Sequence, residues 1–219
     1  MKDNGIFITF EGADGAGKSV QCQLLASTMK KSDISYVLVR EPGGTLIGEK
    51  IRKILIDRSS ANMTEKAELL LYLASRAQLT FEVIKPALRQ GKVVISDRFA
   101  DSSVVYQGVV RHIGVSIVEE LNAFATSNLE PDITFLLDEK PQVFYRRLNK
   151  KRLDRLESEG SQFIEKVVNA YRNLANQNTH RFVILDASLP VNDIHNMIVD
   201  TLKKRFLRLK ELKDIKGHD

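Results

Sequence analysis

The stretch FEGADGAGKS, Phe10–Ser19, closes a short apolar run and places Gly12, Gly15 and Gly17 just ahead of a lysine and a hydroxyl. From Gly12 to Ser19 it fits G-x-x-x-x-G-K-[ST] at every position, with a strand pattern before it and a helical pattern after it. The residue types answer to one task. Glycines let Gly12, Ala13, Asp14, Gly15, Ala16 and Gly17 fold tightly, so that successive N–H groups point at phosphate oxygens. The helix that follows adds its positive N-terminal end. Lys18 is expected to span the β- and γ-phosphates and Ser19 Oγ to meet Mg²⁺. The rival dinucleotide fingerprint, G-x-G-x-x-G, fails because Val20 stands where its last glycine belongs. The loop therefore predicts a nucleoside triphosphate site. Motors, GTPases and small-molecule kinases share it, so the rest of the chain has to choose.

Outward from the loop, five apolar runs read as buried parallel strands: Ile6–Phe10, Tyr36–Val39, Val93–Ser96, Ile133–Leu137 and Phe182–Leu185. Helical patterns separate them, over Lys18–Lys31, Ile47–Ile56, Thr64 to Arg89, Ser116–Ser127, Pro141–Lys150, Gln162–Asn178 and Val191–Arg208. Such alternation predicts an α/β fold of three layers, α/β/α, around a five-stranded parallel sheet of the P-loop NTPase type. No repeat or linker interrupts the 219 residues, which are expected to form a single domain.

Composition narrows the classes. No apolar stretch reaches membrane-span length. The chain enters its first strand at once, leaving no room for a targeting peptide, which predicts a cytoplasmic protein. One cysteine, Cys22, excludes an intramolecular disulfide, and the four histidines show no zinc spacing. The net charge of +5 invites a nucleic-acid reading. However, residues 203–216 hold seven basic and two acidic side chains, seven minus two, which is the whole excess. The tail 203–219 reads as a basic helix with a solvated face, and neither nucleic acid nor membrane is expected as a partner.

After the third strand, DRFADSSVVYQG (Asp97–Gly108) sets an acid and an arginine at a strand's carboxyl end, where ligands bind in open parallel sheets. Asp97 is expected near Mg²⁺, and Arg98 is expected to face a second anion. Asp138 holds a similar strand end without a polar cluster after it.

The set FEGADGAGKS, REPGGT (Arg40–Thr45), LYLASRAQ (Leu71–Gln78), DRFADSSVVYQG and LDRLE (Leu153–Glu157) resembles the thymidylate kinase family in order and spacing. The resemblance implies ATP and Mg²⁺ as cofactors, dTMP as acceptor and a homodimer. It further implies that Arg98 and Arg52 contact the dTMP phosphate. Tyr72, at a position where the family commonly has Phe, would stack on thymine. Arg76 would read a thymine carbonyl. Ser103, Tyr106 and Gln107 would line the base and sugar, and Asp14 would meet the 3′-hydroxyl. Asp186 and Ala187 would approach adenine. Phosphoryl transfer needs a basic group on the moving phosphoryl. Residues 13–16 of the loop hold no arginine, whereas RRLNKKRLDR (146–155) carries six basic residues against one acidic. A lid over about 146–160 is expected, with Arg152 as the catalytic arginine, Arg147 next and Arg155 third. Lys18 and Arg98 complete the catalytic set. The alternatives are a kinase for another nucleotide or nucleoside, or an ATP-binding regulator or nucleic-acid-associated ATPase.

Overall fold

The computed structural model describes residues 5–143 and 160–213. At its centre runs β1, Ile6–Glu11, with all six residues buried. Such a strand can only sit in the middle of a sheet covered on both faces. It pairs in parallel with β3 (Val93–Asp97) on one side and β4 (Ile133–Asp138) on the other. β2 (Tyr36–Arg40) and β5 (Phe182–Asp186) complete the order β2-β3-β1-β4-β5. The five parallel strands expected from the sequence are all present.

Side-chain alternation sends Ile6, Ile8 and Phe10 into one core and Phe7 into another, where Phe7 meets the Phe99 ring edge-on at 4.8 Å. Against the larger core lie α1 (Lys18–Lys31), α7 (Ser161–Gln177) and α8 (Val191–Arg205). Their buried positions recur at helical spacing, as in Ile164, Val167, Val168, Tyr171, Leu174 and Ala175. The smaller core is covered by the end of α3 (Glu65–Leu79) and by α4 (Lys85–Arg89).

Register positions the chemistry. Phe10 pairs with Asp97, Arg40 with Asp97, and Asp138 with Asp186. Glu41, the Asp97–Arg98 pair, the Gly12 loop, Asp138 and Asp186 therefore leave the sheet along one edge. β1 lies between two strands that come later in the chain, so the crevice opens over its carboxyl end.

Three expectations need correction. The helix read from Thr64 to Arg89 is a continuous run in three pieces, with a wide turn at Thr80–Ile84 between α3 and α4. Pro86 has no N–H to donate and its ring crowds the preceding turn, so the hydrogen-bond ladder widens there. Ala100–Val110, absent from the helical patterns read in the sequence, is helical: α5 (Ala100–Ser103) passes into a second wide turn at Val104–Val110. Its valines and Gly108 are poor helix formers and hid it. Lastly, α8 ends at Arg205, and Phe206 is extended. A continued helix would lift Leu209 and Leu212 off the core, where each is buried at about 1.5–3 kcal/mol of apolar transfer. Arg208 donates to Gly91 O at 2.8 Å and the Lys213 N–H to Ser32 Oγ at 2.9 Å. Up to Lys213 the tail is a strap across the base of the sheet. The helix expected over 141–150 lies outside the described residues beyond Val143. Among the described residues, no helix is long and apolar enough to cross a membrane.

Candidate functional site

The phosphate loop adopts the geometry its glycines allow. Gly12, Gly15 and Gly17 have φ of +138°, +82° and +93°. At Gly12 a Cβ would stand 2.6 Å from Leu137 O, so only glycine fits between β1 and β4. Lys18 is buried and donates to Gly12 O at 3.0 Å and Ala13 O at 2.8 Å, which leaves one of its three N–H bonds. Burial and the neighbouring Arg98 push its ammonium down to about 8, against the pull of Asp14, Asp97 and Glu11. Ser19 Oγ donates to Asp97 Oδ2, so the two oxygens expected at Mg²⁺ are adjacent. No cluster of three or more acidic, histidine or cysteine ligands occurs among the described residues. A hydroxyl beside one carboxylate suits Mg²⁺, which takes few protein ligands and keeps water and phosphate oxygens.

Arg98 is the hub of the site. Its φ is +74°, uncommon for a residue with a Cβ, and the conformation is held by neighbours. Its N–H donates to Phe10 O at 3.0 Å, and its carbonyl accepts from Ser96 Oγ at 2.6 Å. The guanidinium divides its fork. Nη1 reaches Ser102 Oγ (3.0 Å) and Tyr171 Oη (3.1 Å), while Nη2 reaches Asp14 Oδ1 (2.5 Å) and Tyr106 Oη (3.4 Å). It thus joins the phosphate loop to the wall formed by α5 and α7. Burial works to raise the Asp14 carboxyl, but Arg98 and Lys18 outweigh it and hold the group below the usual range. The Tyr106 hydroxyl donates to Asp14 Oδ2 at 3.2 Å.

Beneath Arg98 lies Glu11, wholly buried. Its carboxylate accepts from the Phe99 N–H (2.8 Å), Ser102 (2.7 Å) and the Tyr171 hydroxyl (2.7 Å). Burial and Asp101 raise its pKa; Arg98, 4.0 Å away, opposes them. Burial likewise pushes the Tyr106 and Tyr171 phenols well up, so both stay protonated at neutral pH.

A second wall follows REPGGT. Arg76 is 1% exposed, not an arm held out to solvent. Glu41 Oε2 accepts from its Nε (2.8 Å) and Nη2 (2.7 Å). Ser103 Oγ (2.9 Å) and Asn122 Oδ1 (2.5 Å) accept from Nη1, and Phe99 O (3.1 Å) from Nη2. Burial drives the Glu41 carboxyl up to about 7 despite Arg76. α2 (Leu46–Ile56) supplies Arg52, whose Nη1 donates to Pro42 O at 2.9 Å. Glu49 on α2 accepts from the Gly44 N–H (2.9 Å) and both its oxygens from Arg40 (3.0 Å), pinning the glycine turn. Gln107 is buried and donates to Glu68 Oε1 at 2.8 Å, on α3 one turn before the half-buried Tyr72. The wide turn at Val104–Val110 therefore carries Tyr106 toward Asp14 and Gln107 toward α3.

At the far strand ends, Asp138 receives the Arg172 Nε (2.9 Å) and its carbonyl accepts from the Ala187 N–H (2.7 Å). The Asp186 carboxylate takes Ser188 N–H and Oγ, and so shapes the turn. Gln21 on α1 donates to Val191 O at 2.9 Å and ties this loop to the helix that leaves the phosphate loop. Arg147, Arg152 and Arg155, with the lid expected over 146–160, lie outside the described residues up to residue 159.

Sequence reasoning brought Lys18, Ser19, Asp97, Arg98 and Asp14 to one place, and the structure agrees. It missed Glu11, Glu41, Ser102, Asn122 and Tyr171. Glu11 had a signal, since a carboxylate ending an all-apolar strand demands buried partners. Tyr171 had none, being one aromatic on an amphipathic helix.

A parallel sheet with a phosphate loop after β1, an acid at the end of β3 and, next to it, an arginine that joins the loop to the opposite wall defines the class of P-loop nucleotide kinases. The comparisons are more specific. The family model described as thymidylate kinase matches residues 10–198. A curated thymidylate kinase of Thermosipho africanus (strain TCF52B) is 48% identical over 199 residues, 91% of this chain and 98% of its own. One of Lactobacillus helveticus (strain DPC 4571) is 45% identical over 205 residues, 92% and 97% of the two chains. The crystal structure of thymidylate kinase from Ehrlichia chaffeensis superposes with a TM-score of 0.72 at 33% identity, covering 90% of this chain and 98% of that one. The chain belongs to the thymidylate kinase family.

Proposed function

We propose that the protein transfers the γ-phosphoryl group of ATP to dTMP, forming dTDP and ADP for dTTP synthesis. The observation that carries this reading is Arg98: one guanidinium bonded both to the phosphate loop, at Asp14, and to the opposite wall, at Ser102 and Tyr171. A cation so held suits a second phosphate facing the first. An oxygen of the dTMP phosphate attacks the γ-phosphorus as the bond to the β-γ bridging oxygen breaks, and ADP leaves. The acceptor is already an anion, so no general base is required. The chain's part is placement and charge neutralisation.

Lys18 and the loop N–H groups of residues 12–19 bind the donor phosphates. Ser19 and Asp97 would hold Mg²⁺, which supplies charge neutralisation on those phosphates when bound. Arg98, with Arg52, holds the acceptor phosphate; Tyr72 stacks on the base; Arg76, expected to read a thymine carbonyl directly, spends its five N–H bonds within the protein and acts on the base edge through the Ser103 hydroxyl it holds. Tyr106 packs against the sugar, Asp14 meets its 3′-hydroxyl and Gln107 backs the wall. Asp186 and Ala187 approach adenine through backbone groups. The whole chain acts as one domain. A lid over 146–160 closes with Arg152, or Arg147 beside it, on the moving phosphoryl and excludes water.

We also infer a homodimer. Exposed apolar side chains gather on the outer faces of three adjoining helices: Leu46, Ile47 and Ile54 on α2, Leu70 on α3, and Ile117 and Phe124 on α6 (Val115–Thr126). Phe124 is 85% exposed, and Ile117 lies two turns before it on the same face. The cytoplasm, where both nucleotides are made and used, is the expected place of work.

An acceptor panel tests the function: dTMP, dUMP, AMP, CMP, GMP and thymidine, each with Mg-ATP. Turnover confined to dTMP and its close analogues is expected. Efficient use of AMP or thymidine with none of dTMP would overturn the reading. Sedimentation of the protein and of Phe124→Glu tests the dimer, which the charge should dissociate.

A further inference from the structure

Arg76 could serve acceptor selection only if its guanidinium keeps one orientation, and the structure shows what fixes it. Arg76 is a cation in a buried layer, 1% exposed. Its Nε and Nη2 both point at a single oxygen of Glu41, at 2.8 and 2.7 Å. From the other side Asn122 Oδ1 meets Nη1 at 2.5 Å, while Asn122 Nδ2 donates to Ala100 O at 3.1 Å and so cannot turn. Phe99 O takes the last Nη2 donor. The remaining Nη1 bond runs to Ser103 Oγ, on the segment that carries Tyr106 and Gln107. Three elements far apart in sequence, the end of β2, α5 and α6, thus converge on one guanidinium. Glu41 Oε2 is satisfied twice over, whereas Oε1 is buried with no hydrogen-bond partner. A carboxylate in so poor a setting is a costly way to fill space, and an apolar residue of similar size would be the stable choice.

We propose that Glu41 and Asn122 are positioning residues for acceptor selection, holding Arg76 and through it the Ser103 hydroxyl in one arrangement against the base. The inference rests on the acceptor site proposed above. Its chemistry is simple. A guanidinium only donates, and the hydroxyl it bonds is left with its own O–H to offer. All five N–H bonds of Arg76 are spent within the protein, so the donor offered to the base is the Ser103 O–H, and a donor fixed in one direction accepts a ring carbonyl and rejects a ring amino group at the same position. Glutamine at position 41 keeps an acceptor oxygen but loses the charge that draws Nε and Nη2 to it, and its amide N–H₂ competes for the same place. The fork can then rotate, Ser103 loses its fixed donor, and discrimination falls while the donor site, on the other side of the crevice, is untouched. Sites built to hydrogen-bond a substrate reject the mismatched analogue strongly, so a loosened one has much to lose.

The test compares wild type and Glu41→Gln with dTMP and dCMP at saturating Mg-ATP, and with ATP varied at saturating dTMP. Thermal unfolding identifies an assay temperature at which each is folded. The expected result is a KM for dTMP raised by about ten-fold or more, a ratio of kcat/KM for dTMP over dCMP lowered by at least about ten-fold, and a KM for ATP within about two-fold. Ser103→Ala should then cost much less in the Glu41→Gln background than in wild type. Should Glu41→Gln not fold, Asn122→Ala carries the same expectations from the opposite side of the guanidinium. An unchanged dTMP/dCMP ratio in a folded variant, or equal losses for dTMP and ATP, overturns the proposal and leaves only a structural role. If wild type itself does not use dTMP, it is the acceptor assignment that fails.

Discussion

Arg98→Lys isolates the fork from the charge. Lysine keeps the cation and tolerates the same positive φ no better and no worse than arginine. It cannot span the two ends that Arg98 joins, Ser102 with Tyr171 on one side and Asp14 with Tyr106 on the other. An ammonium drawn to Asp14 gives up the two bonds to Ser102 and Tyr171. At about 1 kcal/mol each, the folded state loses about 2 kcal/mol. For a chain of this length that is a fall in Tm of about 4–8 °C. The acceptor phosphate loses a charge-assisted guanidinium contact as well, and replacing it by a misplaced point charge costs about 2–3 kcal/mol, or roughly 30- to 150-fold in kcat/KM for dTMP. The donor loop keeps its own lysine and N–H groups, so the KM for ATP should hold within about two-fold. Steady-state kinetics with each nucleotide varied, alongside calorimetry, reads all three quantities. A KM for ATP that rises in step with that for dTMP, or a dTMP efficiency that does not change, would refute the assignment of Arg98 to the acceptor.

Lys18→Ala removes a charge from the donor phosphates and should lower kcat by about 10²–10³-fold; near-normal turnover in the same assay would exclude the role. Arg152→Ala should depress kcat more than dTMP binding, and an equal loss with Arg147→Ala would show that the two act together. Stability should carry an acid-sensitive part from Glu49. The Gly44 N–H, and then Arg40, hold its carboxyl below the usual value of 4.5, so this part is full above that value and is lost as pH falls through the lower, folded one. Both side chains of the pair stand open to solvent, so the effect is small, and the Tm difference between wild type and Glu49→Gln should shrink steadily below pH 4.5.

The strands, the phosphate loop and the helix after it were legible because each depends on a few adjacent residues: apolar runs without alternation, glycines at fixed spacing, a lysine and a hydroxyl. Asp97 and Arg98 were legible because parallel-sheet topology brings strand ends together. Elsewhere the local signal misled. The wide turn at Thr80–Ile84 left no mark in the apolar pattern, and Leu209 and Leu212 of the tail belonged to the core instead of to a solvated basic helix. What the linear chain could not show is how the site is held. Glu11 meets Tyr171 across 160 residues, and Arg76 is fixed by Glu41 and Asn122 from opposite directions, 35 and 46 residues away. Sequence by itself determined the class of fold, the triphosphate loop and the residues able to carry charge. Only tertiary structure decided which carboxylate neutralises which guanidinium. Burial turns those pairings from weak surface contacts into the bonds that orient the site, and burial is a property of the packed chain, not of any short stretch of it.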